Sequence, residues 1–280
     1  MILYFDTNVF ADLLEGTQAD EKRLLEWRER GQHTIVLSIV NLEEAMAAEL
    51  RDPELCRRLL RTILHWCSHE MFVKSIDLLL RDDITSYARG GEPVSPFLSG
   101  ELLELARRGM EGLLFGRSAD DVMDRLQTVL DGYAQNRSFS ETIDAVIPDL
   151  REAAEEDKKG NVKHTIEKFF RESSGKFAAE FAKKCGVYNE CAERGIAGLM
   201  ELKSVRAAEA ILISTIYSFA LESREVCISD FRDLQHFTLA SSSAEGFVTE
   251  DGSLVYRARR IPTDCVAIWS TQQLLSNCAN

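Results

Sequence analysis

The chain has 280 residues, of which 46 are acidic and 33 basic, and its formal charge of -13 argues against a protein that coats nucleic acid through bulk electrostatics. A hydrophobic content of 45% excludes an intrinsically disordered chain and predicts a folded globular protein. No apolar run is long enough to span a bilayer, the N-terminus lacks the basic segment of a signal peptide, and the seven cysteines are scattered singly. We therefore expect a cytoplasmic protein with reduced thiols and no membrane partner.

The first 50 residues alternate between strand and helix patterns. Residues 2–5 and 34–37 are short apolar runs of strand length, and each is followed by residues with helical spacing, the second time over 42–50. Strand, helix, strand, helix is the order of a parallel sheet with crossover helices. The sequence therefore predicts an α/β fold that starts at its first residues.

Residues 51–204 break this alternation. They contain amphipathic helical patterns at 55–69, 101–114 and 119–130, followed by a stretch rich in Ala, Glu, Lys and Leu, and no convincing strand. We predict that this stretch is a large all-helical insertion or subdomain.

Residues 205–280 return to the α/β pattern. Helices are predicted at 205–223 and 230–244, a brief apolar run lies at 226–228, strands are predicted at 246–249 and 265–269, and a short helix at 271–275. The two ends of the chain are therefore predicted to complete one sheet, with residues 1–50 and 205–280 as the two halves of the core.

Four acidic residues stand at strand ends or in the first turns of predicted helices: Asp6, Glu44, Asp233 and Asp251. The carboxyl ends of parallel strands gather at one edge of a sheet, so we expect these side chains to share a small volume. Crowded carboxylates repel one another unless a cation is present, and oxygen ligands suit Mg²⁺ or Mn²⁺. The group predicts metal-assisted phosphodiester hydrolysis rather than redox chemistry or a zinc site.

Each of these acidic residues also has a structural explanation. Asn41 and Glu44 have the spacing of a capping box, and Asp6 and Asp233 would stabilise helix N-termini. Asp251 would belong to an Asp-Gly turn. The joint pattern is harder to explain in this way than any one residue.

Two of the four positions have alternatives. The second acid is either Glu43 or Glu44, and Glu44 is favoured because it lies six residues after Ser38. Asp230 would replace Asp233 as a metal ligand, or would support the site without contacting the metal ion.

Other polar residues are weaker candidates. His236 lies one turn after Asp233 and could orient a carboxylate or a phosphate, although a histidine at such a position is more often structural. Basic residues that could contact an RNA backbone are Lys158, Lys159, Lys163, His164, Lys183 and Lys184, with Arg257, Arg259 and Arg260 near the last strand. Glutamates alternate with the lysines, so a solvated helical face is the favoured explanation for that group.

Four short motifs resemble those of the PIN-domain nucleases. Asp6-Thr-Asn8 after an apolar strand is similar to the opening motif of that family, and Ser38 followed by Glu44 is similar to its second motif. Residues 233–236 and 246–251, whose acids Asp233 and Asp251 are 18 positions apart, are similar to its third and fourth motifs. The resemblance covers about residues 1–50 and 205–275.

This resemblance implies a PIN-like core and an endoribonuclease that uses Mg²⁺ or Mn²⁺ to hydrolyse RNA. It implies that the metal ligands are Asp6, Glu44, Asp233 and Asp251, with polar support from Thr7, Asn8 and Thr249. Single-stranded nucleic acid is the broader substrate class, and the family commonly forms homodimers.

Two other functions stay open. A haloacid-dehalogenase-like phosphatase also begins with an Asp after an apolar strand and uses Mg²⁺, but it requires a second Asp two residues later, where this chain has Asn8. A non-catalytic PIN-like module would instead use the helical insertion to bind RNA or a protein partner.

Overall fold

The computed structural model describes residues 1–16, 18–31, 33–47, 52–114, 141–143, 145–149, 152, 155, 170–171, 173–222, 228–261 and 265–278. Several sequence predictions fall outside these ranges: the helix at 119–130, the apolar run at 226–228 except its last residue, and the basic residues Lys158, Lys159, Lys163 and His164. Within these ranges, no helix combines the length and the apolar character needed to cross a bilayer.

A parallel sheet of five strands forms the centre of the fold. The strands are β1 (Ile2–Phe5), β2 (Thr34–Ser38), β3 (Cys67–Val73), β4 (Gly246–Val248) and β5 (Ala267–Trp269). Their order is β3-β2-β1-β4-β5, and every neighbouring pair is parallel. β1 pairs with β2 on one side and with β4 on the other, so the two ends of the chain complete one sheet. The predicted α/β class with a parallel sheet is confirmed.

Strand β3 lies within residues 51–204, so the prediction that this stretch is entirely helical was wrong. β3 pairs with β2 at the edge of the sheet, but the register shifts between Val36 and Leu37 and skips residues 69–71. The residues in this irregularity include His69 and Glu70, which are exposed and interrupt the apolar pattern by which a strand is recognised. The first half of the sheet therefore extends to Val73.

Helices surround the sheet. Those that the structure describes are α1 (Thr7–Glu15), α2 (Gln18–Gly31), α3 (Ile39–Ala47), α4 (Pro53–Trp66), α5 (Ile76–Ala88), α6 (Gly100–Leu114), α7 (Lys176–Lys184), α8 (Tyr188–Arg194), α9 (Lys203–Glu222), α10 (Ile228–Ser243), α11 (Gly252–Ala258) and α12 (Thr271–Cys278), with a 3-10 helix at Ile196–Glu201. The helices predicted at 101–114, 205–223 and 230–244 correspond to α6, α9 and α10. α10 packs against α9 and also contacts β1, β4 and α3.

The central strand β1 is covered on both faces. Its consecutive residues Leu3, Tyr4 and Phe5 are completely buried although their side chains alternate between the two faces. Such continuous burial explains why β1 reads as an uninterrupted apolar run, and each of these side chains contributes about 1.5–3 kcal/mol through burial. The last residue of the apolar run is followed directly by the polar Asp6, which places a carboxylate at the carboxyl edge of the sheet.

The strand order reverses between β1 and β4. From β1 the chain proceeds outward to β2 and β3, and it later returns to the other side of β1 to form β4 and β5. In parallel α/β sheets, ligands bind in the crevice at the carboxyl ends of the strands where this reversal occurs. Asp6 follows β1 and Thr249 follows β4, so both lie at that crevice.

Candidate metal centre

The Asp6 carboxylate is held in place by the three residues that the resemblance assigned to its support. Asp6 caps α1, and its Oδ1 accepts a hydrogen bond from the backbone N–H of Thr7 at 2.7 Å. Its Oδ2 accepts from the Thr249 hydroxyl at 2.6 Å and from the Asn8 side-chain amide at 3.1 Å. Only 7% of Asp6 is exposed, so the direction of its carboxylate is fixed by the surrounding protein.

Glu44 approaches Asp6 from α3. Its Oε2 lies 2.9 Å from Nε2 of His236. Of the two alternatives, Glu43 and Glu44, it is the Glu44 carboxylate that lies beside Asp6. Burial raises the pKa of the Glu44 carboxyl, but the hydrogen bond and charge of His236 lower it, and so does a hydrogen bond from Thr7. The net pKa lies below its ordinary value, so Glu44 is ionised at neutral pH.

His236, on α10, completes a group of three candidate metal ligands, here called the Asp6 cluster: Asp6, Glu44 and His236. Its Nε2 lies 3.6 Å from Oδ1 of Asp6, and one ligand atom from each residue lies within 4.8 Å of the other two. Burial lowers the pKa of His236, whereas the charges of Asp6 and Glu44 raise it, and the net shift is upward. Two carboxylates and an imidazole in this arrangement can hold a divalent metal ion.

A chain of buried hydrogen bonds supports His236 from behind. Nδ1 of His236 lies 2.8 Å from the Tyr4 hydroxyl, which lies 2.7 Å from the Ser38 hydroxyl. The Ser38 hydroxyl donates to Oδ1 of Asn41 at 2.7 Å, and the Asn41 amide donates to the carbonyl of Phe5 at 3.0 Å. Strands β1 and β2 and helices α3 and α10 are thereby joined behind the Asp6 cluster.

The capping box predicted for Asn41 and Glu44 does not form. Helix α3 begins at Ile39, so Asn41 lies in its first turn, and it is Ser38 whose hydroxyl accepts from the backbone N–H three residues later, at 3.3 Å. The helix starts earlier than the pattern indicated, which turns the Asn41 side chain towards β1 and leaves Glu44 available to the site.

Asp233 lies in a second buried group, here called the Arg257 cluster: Arg257, Asp230 and Asp233. Arg257 is 2% exposed, and its guanidinium donates to Oδ1 of Asp230 at 3.1 Å and to Oδ2 of Asp233 at 2.5 Å. The prediction that Arg257 is available to an RNA backbone was therefore wrong, because this side chain turns inward. Burial raises the pKa of Asp233 to about 6, against the lowering effect of Arg257.

Asp251 caps α11 and accepts from the backbone N–H of Leu254 at 2.8 Å. Its own N–H donates to the Thr249 hydroxyl at 3.0 Å. The charges of Asp251 and Asp6 both contribute to the raised pKa of Asp233, so these carboxylates lie in one region. Within the described ranges, however, neither Asp233 nor Asp251 joins a set of three ligand atoms within 4.8 Å of one another. Their metal-binding roles stay predictions.

The residues that sequence reasoning undervalued are His236 and its supports. A signal was present, because His236 follows Asp233 by one helical turn and Tyr4 is a polar hydroxyl within an apolar strand. These two residues are separated by 232 positions, and their contact depends on the packing of α10 against β1.

Known proteins provide no further guide: no family model, no curated protein and no solved structure matches this chain. The likeness to PIN-domain nucleases therefore rests on the sequence motifs and stays a prediction.

Proposed function

We propose that this protein is a Mg²⁺- or Mn²⁺-dependent nuclease that hydrolyses phosphodiester bonds of RNA, with the metal ion held by Asp6 and Glu44. The observation that carries the proposal is the convergence of these two carboxylates with His236 beside the crevice between β1 and β4. Carboxylates of this kind are the usual ligands of Mg²⁺ and Mn²⁺, and the place is where parallel sheets bind ligands.

The protein groups around the crevice have separable roles in this proposal. Thr249 and Asn8 fix one oxygen of Asp6, and Thr7 fixes the other, so the carboxylate is oriented before a ligand arrives. A bound divalent ion would supply charge stabilisation at the phosphate and a water of lowered pKa. Asp233 and Asp251, whose charges act on one another, are proposed to hold a second ion or to orient the attacking water.

A phosphatase that forms an aspartyl-phosphate is less well supported. Both oxygens of Asp6 accept hydrogen bonds, and Asn8 donates one of them from the position where the haloacid dehalogenases require an acid. The amide of Asn8 cannot take part in proton transfer as a carboxyl group does.

The test is cleavage of fluorescently labelled RNA oligonucleotides with Mn²⁺ or Mg²⁺, with and without a chelator. We expect Asp6→Asn and Glu44→Gln to lower the cleavage rate by about 100-fold or more. Replacing a residue that only supports a metal ligand already lowers metal affinity or activity by about 10–100-fold. Asp12→Asn is the matched control, because Asp12 is exposed on the helix that Asp6 caps. Circular dichroism would verify that all three variants keep the fold.

Three results would contradict the proposal. Cleavage that persists in chelator excludes the metal mechanism. A phosphorylated Asp6 recovered after incubation with a phosphomonoester would establish the phosphatase instead. Tight RNA binding that is unchanged in Glu44→Gln, without turnover, would indicate a non-catalytic module.

A further inference from the structure

We propose that His236 is a third protein ligand of the metal ion, that it coordinates through Nε2, and that it makes the site select Mn²⁺ over Mg²⁺. The inference rests on the proposed function in one respect, namely that a divalent ion binds between Asp6 and Glu44. It adds a nitrogen ligand to a site that the sequence predicted to consist of carboxylates only.

The spacing of the three ligand atoms fits adjacent positions around one ion. Ligands about 2.1 Å from a metal lie about 3.0 Å apart when they are neighbours in an octahedron and about 4.2 Å apart when they are opposite. Nε2 of His236 lies 2.9 Å from Oε2 of Glu44 and 3.6 Å from Oδ1 of Asp6. The ion would therefore bind with small side-chain movements.

The donor and acceptor in each hydrogen bond behind His236 can be assigned by counting the available hydrogens, starting at Asn41. Its amide nitrogen donates to the carbonyl of Phe5, which can only accept, so the amide oxygen must face Ser38. The Ser38 hydroxyl has one hydrogen and donates it to that oxygen at 2.7 Å. Ser38 must therefore accept in its contact with Tyr4.

The same counting assigns the hydrogen of the contact between Tyr4 and His236. Because the Tyr4 hydroxyl donates its single hydrogen to Ser38, it must accept in its contact with Nδ1 of His236 at 2.8 Å. Nδ1 therefore carries a hydrogen that the Tyr4 contact retains. Nε2 lies 2.9 Å from the ionised Glu44 carboxylate, which can only accept, so Nε2 carries a hydrogen too and would release it to solvent when a metal ion takes its place. Metal-binding histidines usually donate their other ring N–H to a fixed partner in this way, which sets both the tautomer and the ring orientation.

The contrast with Arg257 argues that His236 is more than a counter-ion. Between Asp230 and Asp233, where a permanent cation suffices, the chain places a guanidinium, which has no lone pair to offer a metal. Between Asp6 and Glu44 it places an imidazole ring whose Nδ1–H is held by buried Tyr4, so Nε2 is the nitrogen that can exchange its hydrogen for a metal ion. An imidazole ligand suits first-row transition ions, whereas Mg²⁺ prefers oxygen only, and this is the basis of the proposed selectivity.

The decisive measurement is pulsed electron paramagnetic resonance of Mn²⁺ bound to the wild-type protein. We expect a nitrogen hyperfine coupling that changes when the protein is labelled with nitrogen-15 histidine. This readout needs no variant, so it holds even if substitution of the buried His236 prevents folding.

Titration of Mn²⁺ and of Mg²⁺ into variants tests the selectivity. We expect His236→Gln to lower the Mn²⁺ affinity by about 100-fold and the Mg²⁺ affinity by less than about 5-fold, and Tyr4→Phe to lower the Mn²⁺ affinity by about 10-fold as a positioning residue. His65→Gln, an exposed histidine on α4, is the matched control and keeps the wild-type affinities.

The outcomes separate this inference from the proposed function. Mn²⁺ that binds through Asp6 without any nitrogen coupling overturns the inference and leaves the nuclease proposal standing. Nitrogen coupling without RNA cleavage supports the inference and overturns the nuclease proposal. A wild-type protein that binds no Mn²⁺ overturns both.

Discussion

Helix α10 contributes to two buried groups that differ in one side chain. In the Arg257 cluster it supplies Asp230 and Asp233, which face a guanidinium. One turn later it supplies His236, which faces Asp6 and Glu44 in the Asp6 cluster. Each group therefore combines two carboxylates with one basic side chain, and α10 supplies its contributions to both between residues 230 and 236.

The nature of the basic side chain separates the two groups. A guanidinium is always charged and only donates, so Arg257 closes its cluster as a structural ion pair. A neutral imidazole also has an acceptor nitrogen and binds metals, so His236 can exchange a proton for a metal ion in the Asp6 cluster. The comparison teaches that the basic neighbour of two buried acids decides whether the group is a fixed ion pair or has a further side chain that can bind a metal ion.

The largest expected effect comes from removing the permanent cation. Arg257→Met removes the guanidinium and leaves Asp230 and Asp233 buried without a cation. We therefore expect a loss of about 3–5 kcal/mol in the free energy of unfolding. His236→Gln should lose only about 1–2 kcal/mol, because Gln can still bond to Glu44. Urea unfolding at pH 7 measures both. An equal loss in the two variants would remove the distinction between the clusters.

A third buried carboxylate, held by backbone amides, sharpens the comparison. Glu209 on α9 is 1% exposed and accepts from the N–H groups of Gly175 and Ala178, and burial raises its pKa from 4.5 to about 7. The folded state then holds a proton that the unfolded state releases, so stability falls as the pH rises from about 4.5 to about 7. The expected loss is about 3 kcal/mol.

Unfolding by urea across that pH range tests Glu209. We expect Glu209→Gln to flatten the dependence, whereas Glu201→Gln, at an exposed position, should leave it as in the wild type. A wild-type profile that is unchanged in Glu209→Gln would place the pH dependence elsewhere.

Metal binding should stabilise one cluster only. At a Mn²⁺ concentration about 100 times the dissociation constant, we expect the wild-type protein to gain about 2.7 kcal/mol. Glu44→Gln should lose this gain, and Asp230→Asn should keep it even though its starting stability is lower. Thermal unfolding with and without Mn²⁺ is the measurement. A gain lost in Asp230→Asn and kept in Glu44→Gln would reverse the assignment.

The smallest expected effect concerns the support of Asp6. Thr249→Val removes the hydroxyl that donates to Asp6 and accepts from Asp251. We expect a loss of about 1 kcal/mol in stability and of about 10-fold in Mn²⁺ affinity. Thr62→Val, whose hydroxyl donates only to a backbone carbonyl within α4, is the control for affinity. Unchanged affinity in Thr249→Val would show that Asp6 is oriented without it.

Much of the sheet could be predicted from sequence because its central strands are buried on both faces and read as apolar runs. β1, β2 and β4 lie where the pattern placed them, and two of the four predicted acids, Asp6 and Glu44, converge near the strand ends. β3 escaped recognition because His69 and Glu70 fall in its irregular pairing with β2. Local patterns report burial, and an edge strand with a register shift is only partly buried.

The remaining errors concern side chains whose direction is set by distant packing. Arg257 stands near two other arginines in the sequence, yet only the position of α11 beside α10 turns it inward. Asn41 is a residue type that often caps helices. Only its hydrogen bond to the carbonyl of Phe5 in β1 shows that its side chain turns towards the sheet instead. His236 depends on Tyr4 in the same way. Such pairings are invisible to any short sequence window.

The single helix that serves both clusters has a consequence for mutagenesis. Because Asp233 and His236 are neighbours on α10, a substitution that loosens the ion pair of Arg257 also shifts the imidazole that faces Asp6. We therefore expect an Arg257 variant to bind the proposed metal ion less tightly, although the guanidinium itself lies outside the Asp6 cluster. Inactivity of a variant in this region therefore does not by itself assign the residue a part in the chemistry, and a metal-binding isotherm is needed to detect a displaced His236.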